Sequence, residues 1–241
     1  MNGPLASQAG LELRLTMRRG ESLVVTLVIP LLLLGFFSQV DVLGTSEPAI
    51  DFLTPGVIAL SIIATSMVSF AISTGYDRSY GVLKLLGGSP LGRGRLILAK
   101  ILAIGIIQFG QLACVVALAL ALGWAPDWGG TPQALVVVVV GSATFTGLGL
   151  LLAGTLRAEA TLAVANLLFI LFIPFGGVVY PVDRMPTLVA DVAKLLPVTA
   201  FVEALRRAFA GSPAVLSAPF ALLCLWGVAL VVSAVRTFKW E

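Results

Sequence analysis

Between two long apolar runs stands GYDRSYGVLKLLGGSPLGRGRLILAK, residues 75–100. Six of the chain's charged residues (15 basic and 12 acidic in all) fall in it: Asp77, Arg78, Lys84, Arg93, Arg95 and Lys100. Five of those six are basic. On either side the chain carries no charge for about twenty residues, the length a helix needs to cross the hydrocarbon core of a bilayer. The stretch therefore reads as a loop between two membrane crossings. Which side of the membrane it lies on then becomes the deciding question.

Composition supports the membrane reading throughout. Of 241 residues, 59% are hydrophobic and 11% charged, and the mean hydropathy is +1.05. Soluble domains carry about 25% charged residues, and no water-soluble fold hides this much apolar surface. The expected fold is an all-α polytopic membrane protein, a single transmembrane domain over 1–241. Six segments are apolar enough to cross: about 22–40, 52–75, 96–123, 133–154, 161–180 and 214–235. The third is long enough to imply tilt or an interfacial end. Histidine is absent, which removes the commonest metal ligand and general base. Cys114 and Cys224 lie inside apolar runs and read as small buried hydrophobes, with neither a disulfide nor a metal expected.

Six crossings put both termini on one side. If that side is the cytoplasm, Arg14, Arg18, Arg19, the five basic residues of 78–100, Arg157, Arg236 and Lys239 lie inside. Only Arg184, Lys194, Arg206 and Arg207 then lie outside, as the excess of basic residues in cytoplasmic loops requires. Trp124, Trp128 and Tyr180 mark the outer boundary and Tyr76, Tyr80 and Trp240 the inner one. The expected location is the cell membrane with both termini cytoplasmic, and residues 76–95 form a cytoplasmic loop.

What the spans lack narrows the function. No Asp, Glu, Lys or Arg lies in the middle of any of the six, whereas ion-coupled carriers keep such a residue as a relay. The same absence argues against an intramembrane hydrolase. Mild polar groups remain as candidates for a substrate pathway. Ser61, Thr65, Ser69 and Ser73 recur every four residues in span 2, Gln108 and Gln111 stand three apart in span 3, and Asn166 lies in span 5. The competing reading is helix packing through small residues and interhelical hydrogen bonds, which also suits GSATFTGLGLLLAG in span 4. Pro174-Phe175-Gly176-Gly177 predicts a kink or an early end to span 5. No lysine follows a glycine directly, so the phosphate-binding pattern GxxxxGK[ST] cannot occur. No cofactor is expected on this chain, and any ATP and magnesium would be used on another one. No nucleic-acid partner is expected.

Within the loop, Gly81 permits a break after Tyr76-Asp77-Arg78-Ser79-Tyr80, and Val82, Leu83, Leu85 and Leu86 cluster around Lys84. Gly87-Gly88-Ser89-Pro90 is a turn signal. A short cytoplasmic helix exposing leucines is costly unless it docks on something. By residue and placement the stretch resembles the permeases of type-2 ATP-binding-cassette exporters, the group of drug, polysaccharide and lipid exporters. The matching positions are Asp77, Arg78, Gly81, Leu83, Ser89-Pro90 and Lys100, with Ser79 and Val82 departing from the family's acid and threonine. The resemblance implies that this loop is a coupling helix docking on an ATPase subunit through Asp77, Arg78, Gly81, Leu83, Leu85, Leu86, Ser89 and Pro90. It also implies an interfacial helix within 1–21 and short re-entrant outer helices over 181–213. In that outer segment Pro197, Phe201, Glu203, Arg206 and Arg207 resemble the family's signature, with Leu196 where Asn is usual. Phe201, Leu205 and Phe209 share a face, and Glu203 is spaced to pair with Arg207. One stretch reads otherwise: LELRLTMR, residues 11–18, alternates with the period of a strand.

The resemblance thus implies a transport subunit, not itself an enzyme. It would pair with a second copy or a related permease, sit among membrane lipid, and work with two ATPase subunits on a hydrophobic drug, lipid or glycan. The alternative is an ion-gradient-driven carrier or channel without an ATPase, in which Gln108, Gln111 and the span 2 hydroxyls bind solute.

Overall fold

The computed structural model describes residues 4–18, 20–39, 48–87 and 92–238. The described residues are 84% helical, with no strand among them. Eleven α-helices follow one another among them: α1 (Pro4–Arg18), α2 (Gly20–Phe37), α3 (Ala49–Ile63), α4 (Phe70–Ser79), α5 (Val82–Gly87), α6 (Arg93–Ala121), α7 (Thr131–Thr155), α8 (Ala158–Phe175), α9 (Thr187–Lys194), α10 (Pro197–Phe209) and α11 (Ala218–Thr237). A π-helical segment, Ala64–Ser69, joins α3 to α4 without a break. Residues 11–18 are helical after all. The period-two pattern yields because a lone strand leaves its N–H and C=O groups unpaired, whereas a helix pairs them within the segment, and Glu12 turns to Lys100 of α6.

Five helical stretches are long and apolar enough to cross a membrane: Ala49–Ser79, Gly94–Ala121, Trp128–Thr155, Ala158–Phe175 and Ala218–Thr237. The described apolar part of α2, Thr26–Phe37, is shorter. The expected span over 161–180 ends early, at Phe175, where Gly176 and the left-handed Gly177 turn the chain. Side chains on the outside of the bundle are those that suit lipid: Phe109 of α6, Leu167 and Ile170 of α8, Leu225, Val228 and Val235 of α11 are all exposed. Cys114 is exposed on this surface and Cys224 half-buried, so neither is the buried hydrophobe the sequence leads one to expect.

The Ala49–Ser79 rod is the axis of the bundle, buried for most of its length. Its neighbours reach it because α7 is small on the contacting side. A Cβ on Gly149 would sit 2.9 Å from the Met67 carbonyl oxygen in the π segment, and one on Gly141 would sit 2.4 Å from the Phe201 ring. Only hydrogen at these two positions allows the helices this close, the logic of small-residue packing in membranes. A π turn lengthens the backbone hydrogen bond to i−5 and disturbs the regular ladder around it. Here the Ile62 carbonyl accepts from Ser66 Oγ at 2.6 Å, Thr65 Oγ1 at 3.1 Å and Gln108 Nε2 at 3.3 Å.

The two ends of the bundle differ. At one, α1, the end of α4, α5, the start of α6 and the α7–α8 turn come together. At the other, α10 folds against α3, α7 and α11, and α9 packs beside α10. There Asp127 N–H donates to the Phe209 carbonyl at 2.9 Å, and Trp124 packs edge-on against Phe209 at 4.9 Å. Trp124, expected at the water boundary, is buried by that contact.

Candidate functional site

The α4–α5 elbow is built from its residues upward. Gly81 adopts φ +72°, a left-handed conformation in which glycine avoids the steric penalty of a Cβ, and the chain reverses there into α5. Leu83 points back under the elbow and is fully buried. Leu85 is 78% exposed and Tyr80 76% exposed. Tyr80 stacks on Tyr76 at 6.0 Å between ring centres. The elbow thus has an anchored underside and an apolar outer face.

Charge holds it in place. Lys100 Nζ, with its side chain 5% exposed, donates to Glu12 Oε2 of α1 at 2.9 Å and to Asp77 Oδ2 of α4. A lysine buried to this degree requires paired anions, and these two come from different helices. Arg78 Nη2 donates to the Leu156 carbonyl, tying α4 to the α7–α8 turn. Its other terminal nitrogen is buried without a partner among the described residues. α4 is therefore held from two sides, by α6 and by the α7–α8 turn, immediately before the elbow.

Of the eight residues expected to dock, the structure separates three groups. Asp77 and Arg78 bond inward and Leu83 is buried, so these brace the elbow. Gly81 and Leu85 are exposed. The backbone of α5 includes Leu86, whose side chain is outside the described set, and Ser89 and Pro90 lie outside the described residues. Lys239 and Trp240, expected on the same side, also lie outside them.

The expected pathway residues do not converge. Ser61 and Thr65 are buried and donate to carbonyls of their own helix, at 2.8 Å and 3.1 Å. Gln111 donates to the Thr26 carbonyl of α2 at 2.7 Å. Gln108 bridges the Ile62 carbonyl and Ser142 Oγ of α7, whose hydroxyl donates to Gln108 Oε1 at 2.9 Å. That pair forms the polar floor of an open groove of about 580 Å³ between α6 and α7. Asn166 is exposed on α8 and Ser69 half-buried. Serine and threonine back-bonding of this kind satisfies hydroxyls within the helix, as it does at Ser61 and Thr65.

At the opposite end α10 buries Phe201 against Phe145 at 5.9 Å. Pro197 opens the helix at a position where its missing N–H costs nothing. Glu203 pairs with Arg206 at 2.7 Å, not with Arg207 as spacing alone had indicated. Arg206 is drawn inward by the Phe52 and Gly177 carbonyls, and its guanidinium lies 3.6 Å over the Phe52 ring. Burial lowers the Arg206 pKa, and Glu203 partly offsets this. Arg207 stays outside, exposed. No spacing rule could have separated these neighbours; the Phe52 and Gly177 carbonyls decide between them.

Long apolar helices around a buried axis, without an intramembrane charge, define a multi-pass membrane protein. The chain matches the family model of the ABC-2 type transporter over residues 11–210, and it belongs to that family. It is a membrane component of an ABC transporter, and membrane domains of this family work with ATP-binding partner subunits. No curated protein matches the chain.

Proposed function

We propose that this chain is the export permease of its transporter, with six crossings that include α2 and with α1 and α5 on the cytoplasmic side. Two copies, or one copy and a related permease, form the pathway, and two separate ATPase subunits bind the α5 elbows. α1 lies along the membrane surface, and α9 and α10 re-enter from the outer face. The substrate is a hydrophobic drug, lipid or glycan. The observation that carries this reading is the elbow itself: braced beneath by Leu83, Asp77, Arg78 and Lys100, yet presenting Leu85 and Tyr80 to the outside. A force applied to α5 passes directly into the buried axis of the bundle through α4.

The test is purification of the tagged protein from its native membrane in mild detergent, followed by an ATPase assay. An ATP-binding subunit is expected to co-purify. Burying a leucine is worth about 1.5–3 kcal/mol, so Leu85→Asp is expected to weaken its retention by about tenfold or more. Unchanged retention in Leu85→Asp and in Gly81→Pro overturns the docking role. A wild-type preparation that transports without any ATPase subunit, and in step with an ion gradient, establishes the carrier alternative instead.

A further inference from the structure

At the end of the bundle opposite the elbow, a wedge of about 420 Å³ opens between one face of α10 and the first turns of α11. Glu203 and Arg207 of α10 line it, Ala218 and Leu222 of α11 face them, and Asp183 and Lys194 close its side. Two features mark its depth. Ala218 and Leu222 are four residues apart, so the wedge follows about 6 Å of α11. It opens at the first turns of α11, where a crossing helix enters the headgroup layer. Below it, Trp226 Nε1 donates to the Leu195 carbonyl at 2.9 Å, fixing the end of α9 against the α11 span. Leu188, Val192 and Leu195 recur along α9 and are all exposed, an apolar stripe that suits lipid at that depth.

The charges in and beside the wedge do not cancel. Lys194 bonds Asp183 at 2.8 Å and Arg206 bonds Glu203 at 2.7 Å. Arg207 makes no ion pair among the described residues. Arg207 is therefore the lining cation left without an acid, beside Lys194, in a cavity whose lower wall is apolar. We propose that the wedge binds the phosphodiester headgroup of an anionic phospholipid. Arg207 and Lys194 take the phosphate, and an acyl chain descends past Leu222 along α11 and the α9 stripe. A phosphodiester gives Arg207 the anionic partner it lacks, and a planar guanidinium matches its paired oxygens. The site needs no ATPase subunit, so it stands or falls apart from the coupling reading.

Native mass spectrometry of the delipidated protein with dioleoyl-phosphatidylglycerol and with dioleoyl-phosphatidylcholine provides the test. The glycerol lipid is expected to bind about tenfold more tightly, and Arg207→Gln to remove most of that preference, since one charge-assisted contact is worth about a factor of ten. Arg207→Lys is expected to retain part of it. Arg157→Gln, an exposed basic residue in the α7–α8 turn at the elbow end of the bundle, is expected to change nothing. Equal binding of the two lipids overturns the proposal, as does an unchanged preference in Arg207→Gln. Displacement by glycerol 3-phosphate as readily as by lipid also overturns it, making this a site for soluble anions.

Discussion

Replacing Lys100 by Met removes the one cation that Glu12 and Asp77 share. The Lys100 side chain is 5% exposed, that of Glu12 13% and that of Asp77 18%. Removing one partner of a buried ion pair costs about 3–5 kcal/mol, because the remaining charge is left desolvated. Both carboxylates keep a little access to water, which places the expected cost near the lower bound, about 3 kcal/mol. That is roughly two decades in the folding equilibrium, or a midpoint lowered by about 6–12 °C at the scaling of proteins this size. The triple variant Glu12→Gln/Asp77→Asn/Lys100→Met removes the three charges together and is expected to recover most of the loss. Thermal unfolding in one detergent, followed by tryptophan fluorescence, reads both. A Lys100→Met midpoint within about 2 °C of wild type would show that the cluster is solvated and holds nothing. A triple variant no more stable than the single one would show that Lys100 acts through packing of its stem, not through charge.

Two further outcomes follow from other contacts. Gly149→Ala places a methyl 2.9 Å from the Met67 carbonyl oxygen and is expected to cost about 1–3 kcal/mol by overpacking. Gly105→Ala meets nothing within 4 Å and is expected to be neutral or slightly stabilising in the same thermal assay. Lys194 has its pKa raised above the ordinary 10.5, first by its hydrogen bond to Asp183 and then by that residue's charge. A raised lysine pKa stabilises fully below 10.5 and the gain fades as pH climbs through the folded value. Emission from Trp226, whose indole bonds the adjacent Leu195 carbonyl, is therefore expected to hold steady through neutral pH in a single-tryptophan variant. A shift is expected only above about pH 10.5, and Lys194→Gln should abolish that transition. A transition near neutrality would contradict the pairing.

Much of this protein is legible in the chain because a bilayer is a demanding solvent. Uncharged runs of about twenty residues have few fates other than crossing helices. The five crossing-length apolar helices, a kink or end after Pro174, the short helix after Gly81 and the family itself thus follow from composition and local pattern. Contacts between distant segments do not. Lys100 meets Glu12 across 88 positions and Asp77 across 23, and period and spacing carry no trace of either meeting. The choice of Arg206 over Arg207 as the partner of Glu203 was made by the Phe52 and Gly177 carbonyls. So too with Ser61 and Thr65 of span 2, part of a polar face by spacing, which the fold turns inward onto carbonyls of their own helix. The π turn between α3 and α4 belongs here as well, since Gln108 of α6 helps to satisfy the Ile62 carbonyl beside it. Sequence alone determined which segments enter the membrane, because transfer free energy depends on local composition. Tertiary structure decided which charges are buried and which leucine faces outward, because desolvation and pairing depend on what the other helices bring.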